Sequence, residues 1–568
     1  MPDLRIALAQ ADTCVGDLAG NARLVLDAVA AAAADGARLV ALPEMTLTGY
    51  PVEDLALRAA FRDDAATAVD VLARDLAEAG HGDVTVVVGT LGTTTTPDGP
   101  RPTNRAVALR DGRVVATYDK RHLPTYGVFD EARIFAAGTT TTVLNVDGHR
   151  VGLLVCEDLW RADGPVAELA DARLDLVVVV NGSPYEEGKD HERLRHARRV
   201  AATLGAPVAY VNQVGGQDDL VLEGGSFILD VAGEVVARSP QFTPDLLVHD
   251  VPTRGGALRR GRVAPPLHPD EEVYRACVAG LSGYIRKNGF RSVVLGLSGG
   301  IDSALVAVMA ADAIGGENVV GVSMPSAYSS QHSKDDAADL AQRIGADYRV
   351  QPIGGTVDAF MRDLPLDGVA AENLQARVRG TILMSLSNAE GHLTLATGNK
   401  SELAVGYSTI YGDAVGGYAP IKDVLKSRVW ALARWRDDHA LDLGEIPPIP
   451  ESSITKPPSA ELRPGQVDQD SLPPYDRLDA VLEDYVGRNL GHNALAAAGH
   501  DPATIALVLR LVDRAEWKRR QYPPGPKISA VAFGRARRLP VTSRRRETPP
   551  TPDVAPTPST TTPNLEQP

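Results

Sequence analysis

Cysteine is scarce in this chain of 568 residues: Cys14, Cys156 and Cys277 are the only three. An odd count without metal-ligand spacing argues against a disulfide framework and points to a reducing compartment. Basic excess is also lacking. Lys and Arg number 58 against 73 Asp and Glu, a net charge of −15, which argues against a general nucleic-acid binder. No apolar run reaches the ~18 residues of a membrane helix. The N-terminus shows no basic stretch leading into an apolar one, so the expectation is a cytoplasmic protein without a membrane partner. The Gly-Lys-Ser/Thr phosphate loop is missing too, because the Gly188-Lys189 pair is followed by Asp190. No internal repeat is present. What remains is an ordinary globular composition, 44% hydrophobic and 23% charged. At this length it allows two or three domains that need no disulfide staples.

Residues 1–251 read as alternating strands and helices. The apolar runs Val151–Val155, Leu176–Val180 and Val208–Val211 read as strands buried on both faces. Arg5–Ala9, Leu39–Leu42 and Val84–Val88 are further strands, and Asn21–Ala34 a helix. Asp111-Gly112, between Ala106–Leu109 and Val114–Tyr118, signals a hairpin; Phe227–Leu229 and Glu234–Val236 suggest another. Residues 252–269 mix Pro, Gly and Arg and read as a linker. From 270 to 546 a second pattern runs helix Val273–Lys287, strand Val293–Leu297, helix Ser303–Ile314, strand Val319–Met324, helix Lys334–Ile344, strand Tyr348–Pro352, helix Glu372–Ser387 and strand Leu393–Thr397. Such alternation predicts a doubly wound parallel sheet. The Thr/Pro-rich residues 547–568 are expected to be disordered. The run Arg535, Arg537, Arg538, Arg544, Arg545 and Arg546 reads as a solvated face or an anion contact.

Two places carry chemistry. Glu44, Lys120 and Cys156 each follow a strand end, where a sheet exposes reactive side chains. By itself a lone cysteine after a strand is more often a small core residue. Together the three have a mechanism: the carboxylate takes the thiol proton, sulfur attacks an amide carbonyl and expels ammonia, and the ammonium steadies the oxyanion. In the second half, strand Val293–Leu297 runs into Ser298-Gly299-Gly300-Ile301-Asp302-Ser303 and a helix. Glycines let backbone amides converge on an anion, and the helix N-terminus adds its dipole.

The motifs Leu42-Pro43-Glu44, Asp119-Lys120-Arg121-His122 and Cys156-Glu157-Asp158-Leu159-Trp160 resemble the nitrilase (carbon–nitrogen hydrolase) superfamily. The resemblance implies a four-layer α-β-β-α sandwich, with Glu44 as base, Lys120 as stabiliser, Cys156 as nucleophile and Glu131 as a supporting carboxylate. Tyr126-Gly127-Val128-Phe129-Asp130-Glu131 and Asn181-Gly182-Ser183-Pro184-Tyr185 are similar to its glutaminase members, which implies that Tyr126, Ser183, Lys189 and Glu131 line a glutamine site. The hexapeptide resembles the loop of N-type ATP pyrophosphatases, on a Rossmann-like α/β fold. That loop alone leaves the acceptor open, with xanthosine monophosphate or aspartate as alternatives.

Glu372-Asn373-Leu374-Gln375-Ala376-Arg377, Thr397-Gly398-Asn399-Lys400-Ser401-Glu402, Tyr411-Gly412-Asp413 and Pro524-Gly525-Pro526-Lys527 are similar to NAD synthetases. Up to about residue 545 the chain resembles the glutamine-dependent NAD synthetase family. The resemblance implies that Gly296, Leu297, Ser298, Gly299, Gly300, Ile301, Asp302, Ser303 and Thr397 bind ATP. It implies that Asp302 and Glu402 hold Mg²⁺, and that Asn373, Glu402 and Lys527 contact deamido-NAD. Lys426 and Ser459 are weaker ATP candidates, Ser459 standing where the family pattern has threonine. Ile410 stands where ammonia-dependent members carry lysine. The resemblance also implies ammonia passing from Cys156 to the Ser298–Ser303 loop, a homo-oligomer, and no tightly bound organic cofactor.

Overall fold

The computed structural model describes residues 2–463 and 465–547. The chain divides into two compact units between Gly283 and Tyr284. Among the described residues no helix is long and apolar enough to cross a membrane.

Strands β1 (Leu4–Gln10), β2 (Leu39–Ala41), β3 (Thr85–Thr96), β4 (Gly99–Arg110) and β5 (Arg113–Asp119) open the first unit. Then come β6 (Val143–Val146), β7 (His149–Val155), β8 (Leu176–Asn181), β9 (Val208–Asn212), the hairpin β10 (Val214–Gln217) and β11 (Leu220–Glu223), β12 (Phe227–Leu229), β13 (Val235–Arg238) and β14 (Asp245–Val251). β14 returns to pair antiparallel with β1. Two six-stranded sheets result, ordered β14-β1-β2-β3-β4-β5 and β13-β12-β9-β8-β7-β6.

The two-residue period of a strand explains the layers. Leu4, Ile6 and Leu8 of β1 pack in one core with Val151, Leu153 and Val155 of β7 and Leu176, Val178 and Val180 of β8. Ala7 and Ala9 face the other way, onto Val25 and Val29 of helix Leu18–Ala34 and Leu72 and Leu76 of helix Ala59–Leu76. Val177 and Val179 likewise face Leu194, Ala197 and Val200 of helix Lys189–Leu204. Both sheets are therefore buried on both faces, in the expected α-β-β-α order. The continuous apolar runs were the correct signal.

β3 outruns its expected end at Val88 because Thr93–Thr96 pair with Gly99–Pro102 of β4, a polar ribbon without apolar pattern. Cys277 is buried and Cys14 half-buried. In the segment 252–269, Arg262 accepts a bond from the Arg238 amide and Ala264 donates to the Arg238 carbonyl, so this stretch lies along β13. Residues 548–568, most of the expected tail, lie outside the described residues.

The second unit contains β15 (Val293–Gly296), β16 (Val319–Ser323), β17 (Asp347–Val350) and β18 (Leu393–Thr394), all parallel, in the order β17-β16-β15-β18. The chain winds outward from β15 through β16 to β17, then crosses to the other side of β15. Chain segments leaving β15 and β18 therefore part at a switch point, where open α/β sheets form a crevice. β18 is shorter than the expected Leu393–Thr397, since Leu395 only bridges to Tyr418, and Thr397 and Gly398 line the crevice instead. A helical layer follows, packing Leu478, Val481, Ile505, Val508 and Leu509 around Leu403 and Ala404.

Candidate active sites

In the first unit the carboxyl ends of β2, β5, β7 and β8 converge. Glu44 and Lys120 are fully buried, and Lys120 Nζ lies 2.8 Å from Glu44 Oε1 and 2.8 Å from Glu131 Oε2. Asn104 Nδ2 also donates to Glu44 Oε1, at 2.6 Å, and the Gly182 amide donates to Glu44 Oε2 at 2.8 Å. The Asn104 carbonyl accepts from the Lys120 amide at 2.8 Å. Asn104 thus holds the carboxylate with its side chain and the lysine's backbone with its own. Tyr50 OH donates to Glu131 at 3.2 Å.

Cys156 begins a short helical turn straight after β7, with φ +47°. A side chain in this left-handed region is strained, and a strand-to-helix elbow of this kind can present a reactive side chain. Asp158 fastens the elbow to the Lys120 loop. Its carboxylate accepts Tyr118 OH at 2.8 Å and the His122 amide at 2.9 Å. Two of the sequence motifs therefore meet through one buried carboxylate.

Charge sets the protonation. Burial, then the Glu44, Glu131 and Glu157 carboxylates, push the Cys156 thiol well above its ordinary pKa, against the pull of Lys120. Burial works against the Lys120 ammonium, but Glu131 and Glu44 outweigh it and hold Lys120 well above its usual value. Burial pushes Glu131 up to about 7. The resting group is a neutral thiol beside a permanent ammonium.

Ser183 is buried, its amide donating to Asn212 Oδ1 at 3.0 Å and its hydroxyl oxygen accepting from Arg193 Nε at 3.1 Å. Tyr126 is largely exposed and its OH donates to Glu157 at 2.8 Å. Lys189 Nζ sits 5.9 Å from both the Phe129 and Trp160 rings, within cation–π range.

In the second unit the loop after β15 needs its glycine. Gly299 has φ +75°, and a Cβ there would fall 2.2 Å from the Ser333 carbonyl oxygen. Ser303 Oγ donates to the Gly300 carbonyl at 2.9 Å and the Gly300 amide donates to Ser298 Oγ at 3.1 Å, closing the loop onto helix Ile301–Ile314. A cleft lies before it, lined by Ser298, Asp302, Thr397, Glu402, Lys426 and Ser459 among others. Gly296 and Leu297 line a smaller pocket that shares Ser298.

Asp302 pairs with the buried Lys426 ammonium and accepts Asn399 Nδ2 at 2.9 Å, while Glu402 lies 3.7 Å from the same ammonium. Burial and the nearby Asp302 push Glu402 up to about 8. The Lys426 ammonium is the cation that both carboxylates face. Among the described residues no group of three or more His, Cys, Asp or Glu is placed to hold a metal. Asn373 accepts from Thr409 Oγ1 at 2.7 Å, and Lys527 is buried; neither lines the cleft. Ile410 is buried, its carbonyl accepting from Arg377 at 3.2 Å.

Residues 5–260 match the carbon–nitrogen hydrolase family model and residues 273–522 the NAD synthase model. The chain is 47% identical to a glutamine-dependent NAD(+) synthetase of Rhodobacter capsulatus, covering 96% of this chain and 99% of the relative. It is 43% identical to one of Acinetobacter baylyi, covering 95% and 98%. The chain belongs to the glutamine-dependent NAD(+) synthetase family. A solved member from Acinetobacter baumannii, in complex with adenosine diphosphate, superposes with a TM-score of 0.75 at 40% identity, covering 95% of this chain and 98% of that one. Another from Cytophaga hutchinsonii shares the fold with a TM-score of 0.80 at 22% identity, covering 95% and 98%.

Family motifs account for the reactive groups but not for what holds them. Asn104 lies in a strand expected to begin at Ala106, and nothing in its neighbours marks it. The Gly182 amide has no side-chain signature at all. Asn399 lay inside a quoted motif, yet its grip on Asp302 spans 97 positions of sequence and exists only in the fold.

Proposed function

We propose that the chain makes NAD⁺ from deamido-NAD in two linked reactions, one in each unit. The observation that carries this reading is that one chain holds both a buried Glu44–Lys120–Cys156 trio and a glycine loop facing paired carboxylates. In the first reaction glutamine enters beside Cys156, with Tyr126, Ser183 and Lys189 as its contacts. Because the thiol rests neutral, its proton passes to Glu44 as sulfur attacks the side-chain carbonyl, rather than beforehand. Lys120 steadies the oxyanion, and Glu131 keeps Lys120 charged. Glu44 returns the proton to the departing nitrogen, ammonia leaves, and water releases glutamate from the thioester.

In the second reaction Gly296–Ser303 and Thr397 receive ATP, and Asn373, Glu402 and Lys527 receive deamido-NAD. The crowded Asp302 and Glu402 suit Mg²⁺, a hard ion that takes carboxylates and completes its shell from phosphates and water. When bound, it would neutralise charge on the departing pyrophosphate. A nicotinate carboxylate is a poor electrophile because it would have to expel oxide. Its attack on the α-phosphate instead forms an acyl-adenylate and releases pyrophosphate. Ammonia then displaces AMP. Ammonia is mostly protonated at neutral pH and so poorly nucleophilic, which favours its delivery within the enzyme.

The test is NAD⁺ formation from deamido-NAD and ATP with either glutamine or ammonium. Both donors should serve, and xanthosine monophosphate or aspartate in place of deamido-NAD should give no product. No turnover with deamido-NAD would reject the assignment.

Asn104→Ala should lower kcat for glutamate release roughly tenfold to hundredfold through a misplaced Glu44, leaving ammonium-dependent synthesis unchanged. An unaltered kcat would show that Lys120 and Gly182 suffice to hold that carboxylate.

A further inference from the structure

Lys400 and Asp423 form a buried ion pair at 2.8 Å in the second unit, outside the cleft. Its surroundings are unusual for a pair that merely fills a core. Asp423 Oδ2 accepts three bonds from one short segment: the Ile528 amide at 2.9 Å, the Ser529 amide at 2.8 Å and Ser529 Oγ at 2.7 Å. Lys400 Nζ reaches the same segment, donating to Ser529 Oγ at 2.6 Å and to the Val531 carbonyl at 2.9 Å. The residue before Ile528 is Lys527, itself buried.

The other end of the pair belongs to the turn that carries Asn399 and Glu402. Lys400 follows Asn399, whose side chain donates to Asp302 at 2.9 Å and accepts the Glu402 amide at 3.0 Å. Lys400 therefore stands between the group that fixes one acidic ligand and the other ligand itself. The approach to Lys527 is laid down just as closely. The Ala419 amide donates to the Pro524 carbonyl at 2.8 Å, and Lys422 Nζ to the Pro523 carbonyl at 2.7 Å. A Cβ on Gly525 would fall 2.2 Å from the Ala419 oxygen.

We propose that the Lys400–Asp423 pair is a positioning device for the acceptor substrate, setting Lys527 at a fixed place relative to the turn that carries Glu402. A buried ion pair is weak evidence of stability, since apolar replacements often do as well, whereas holding two segments in register is a use that needs charge and directed bonds. Here those bonds join two segments that each contribute a deamido-NAD contact. The inference rests on the reading that Lys527 contacts deamido-NAD.

The experiment measures kcat and KM for deamido-NAD and ATP, with ammonium as donor, on full-length chains. Glutaminase activity and melting temperature are followed on the same preparations. Lys527→Met is the reference and should raise KM for deamido-NAD. Asp423→Asn should raise that KM about tenfold, with KM for ATP within about twofold and glutamate release unchanged, and Asp423→Glu should recover part of the loss. The double variant Lys400→Met/Asp423→Asn leaves no orphaned charge and should melt near the wild type while keeping the raised KM. If the double variant folds and binds deamido-NAD like the wild type, the pair is only structural and the proposal fails. Equal increases in KM for ATP and deamido-NAD would overturn it as well. A normal KM in Lys527→Met would instead overturn the reading of Lys527, and the inference with it.

Discussion

Cys156→Ala should abolish NAD⁺ synthesis from glutamine and leave synthesis from ammonium intact. The loss should be on the order of 10⁴-fold or more, because a removed nucleophile leaves only the binding and oxyanion contributions. The substitution is mild in every other respect. Alanine keeps the Cβ, so the left-handed backbone at this position carries the same strain as with cysteine. The lost sulfur leaves a small gap, and Glu44, Lys120 and Glu131 keep their mutual contacts. The check is product formation with each donor on one preparation. Ammonia-dependent synthesis needs nothing from the first site, so loss with both donors would sink the two-site scheme. Retention with glutamine would remove Cys156 from the mechanism.

Asp302→Asn should produce the mirror image. Synthesis should fall on the order of 10³-fold with either donor, while glutamine hydrolysis continues at Cys156. Asparagine preserves the shape and can still meet Asn399, but the negative charge is gone. Two consequences follow from the geometry. If Asp302 and Glu402 hold Mg²⁺ as proposed, only Glu402 would remain, and the Mg²⁺ concentration for half-maximal synthesis should rise. Buried Lys426 keeps one carboxylate at 3.7 Å in place of two, so the melting temperature should drop modestly. Mg²⁺ titration of synthesis, beside glutamate release on the same sample, separates the chemical loss from any loss of fold. If hydrolysis fails in proportion to synthesis, the variant has disturbed the whole chain and Asp302 has no specific role.

Those two variants touch residues that the sequence made visible, and the reason is physical. Strands buried on both faces must be apolar throughout, so Val151–Val155 and Leu176–Val180 announced themselves, and Cys156, straight after the first of them, marked a candidate reactive group. The Ser298–Ser303 loop was legible because no residue but glycine fits beside the Ser333 carbonyl. Past residue 397 the sequence shows motifs but no clear helix or strand pattern. Helix Lys426–Asp442 shows why: its buried residues include Lys426 and Asp437 along with Val429, Leu432, Ala433 and Ala440. Polar groups on the inward side break the apolar stripe on which a helix is recognised. β14 escaped notice because its inward positions are Leu247, His249 and Val251, with a histidine where the alternation should be apolar.

By itself the sequence showed the two-part architecture through local pattern, strand periodicity and a glycine's missing Cβ, while the reaction at each site and the roles of the reactive side chains followed from the families its motifs resemble. Only the tertiary structure decided how those groups are held and charged. Asn104 and Gly182 on Glu44, Asp158 between the elbow and the lysine loop, Asn399 on Asp302, and Asp423 on Ile528 and Ser529 join residues dozens to more than a hundred positions apart. A hydrogen bond acts over about 3 Å, and burial raises or lowers a pKa according to everything packed around the group. Neither quantity exists until the chain has folded.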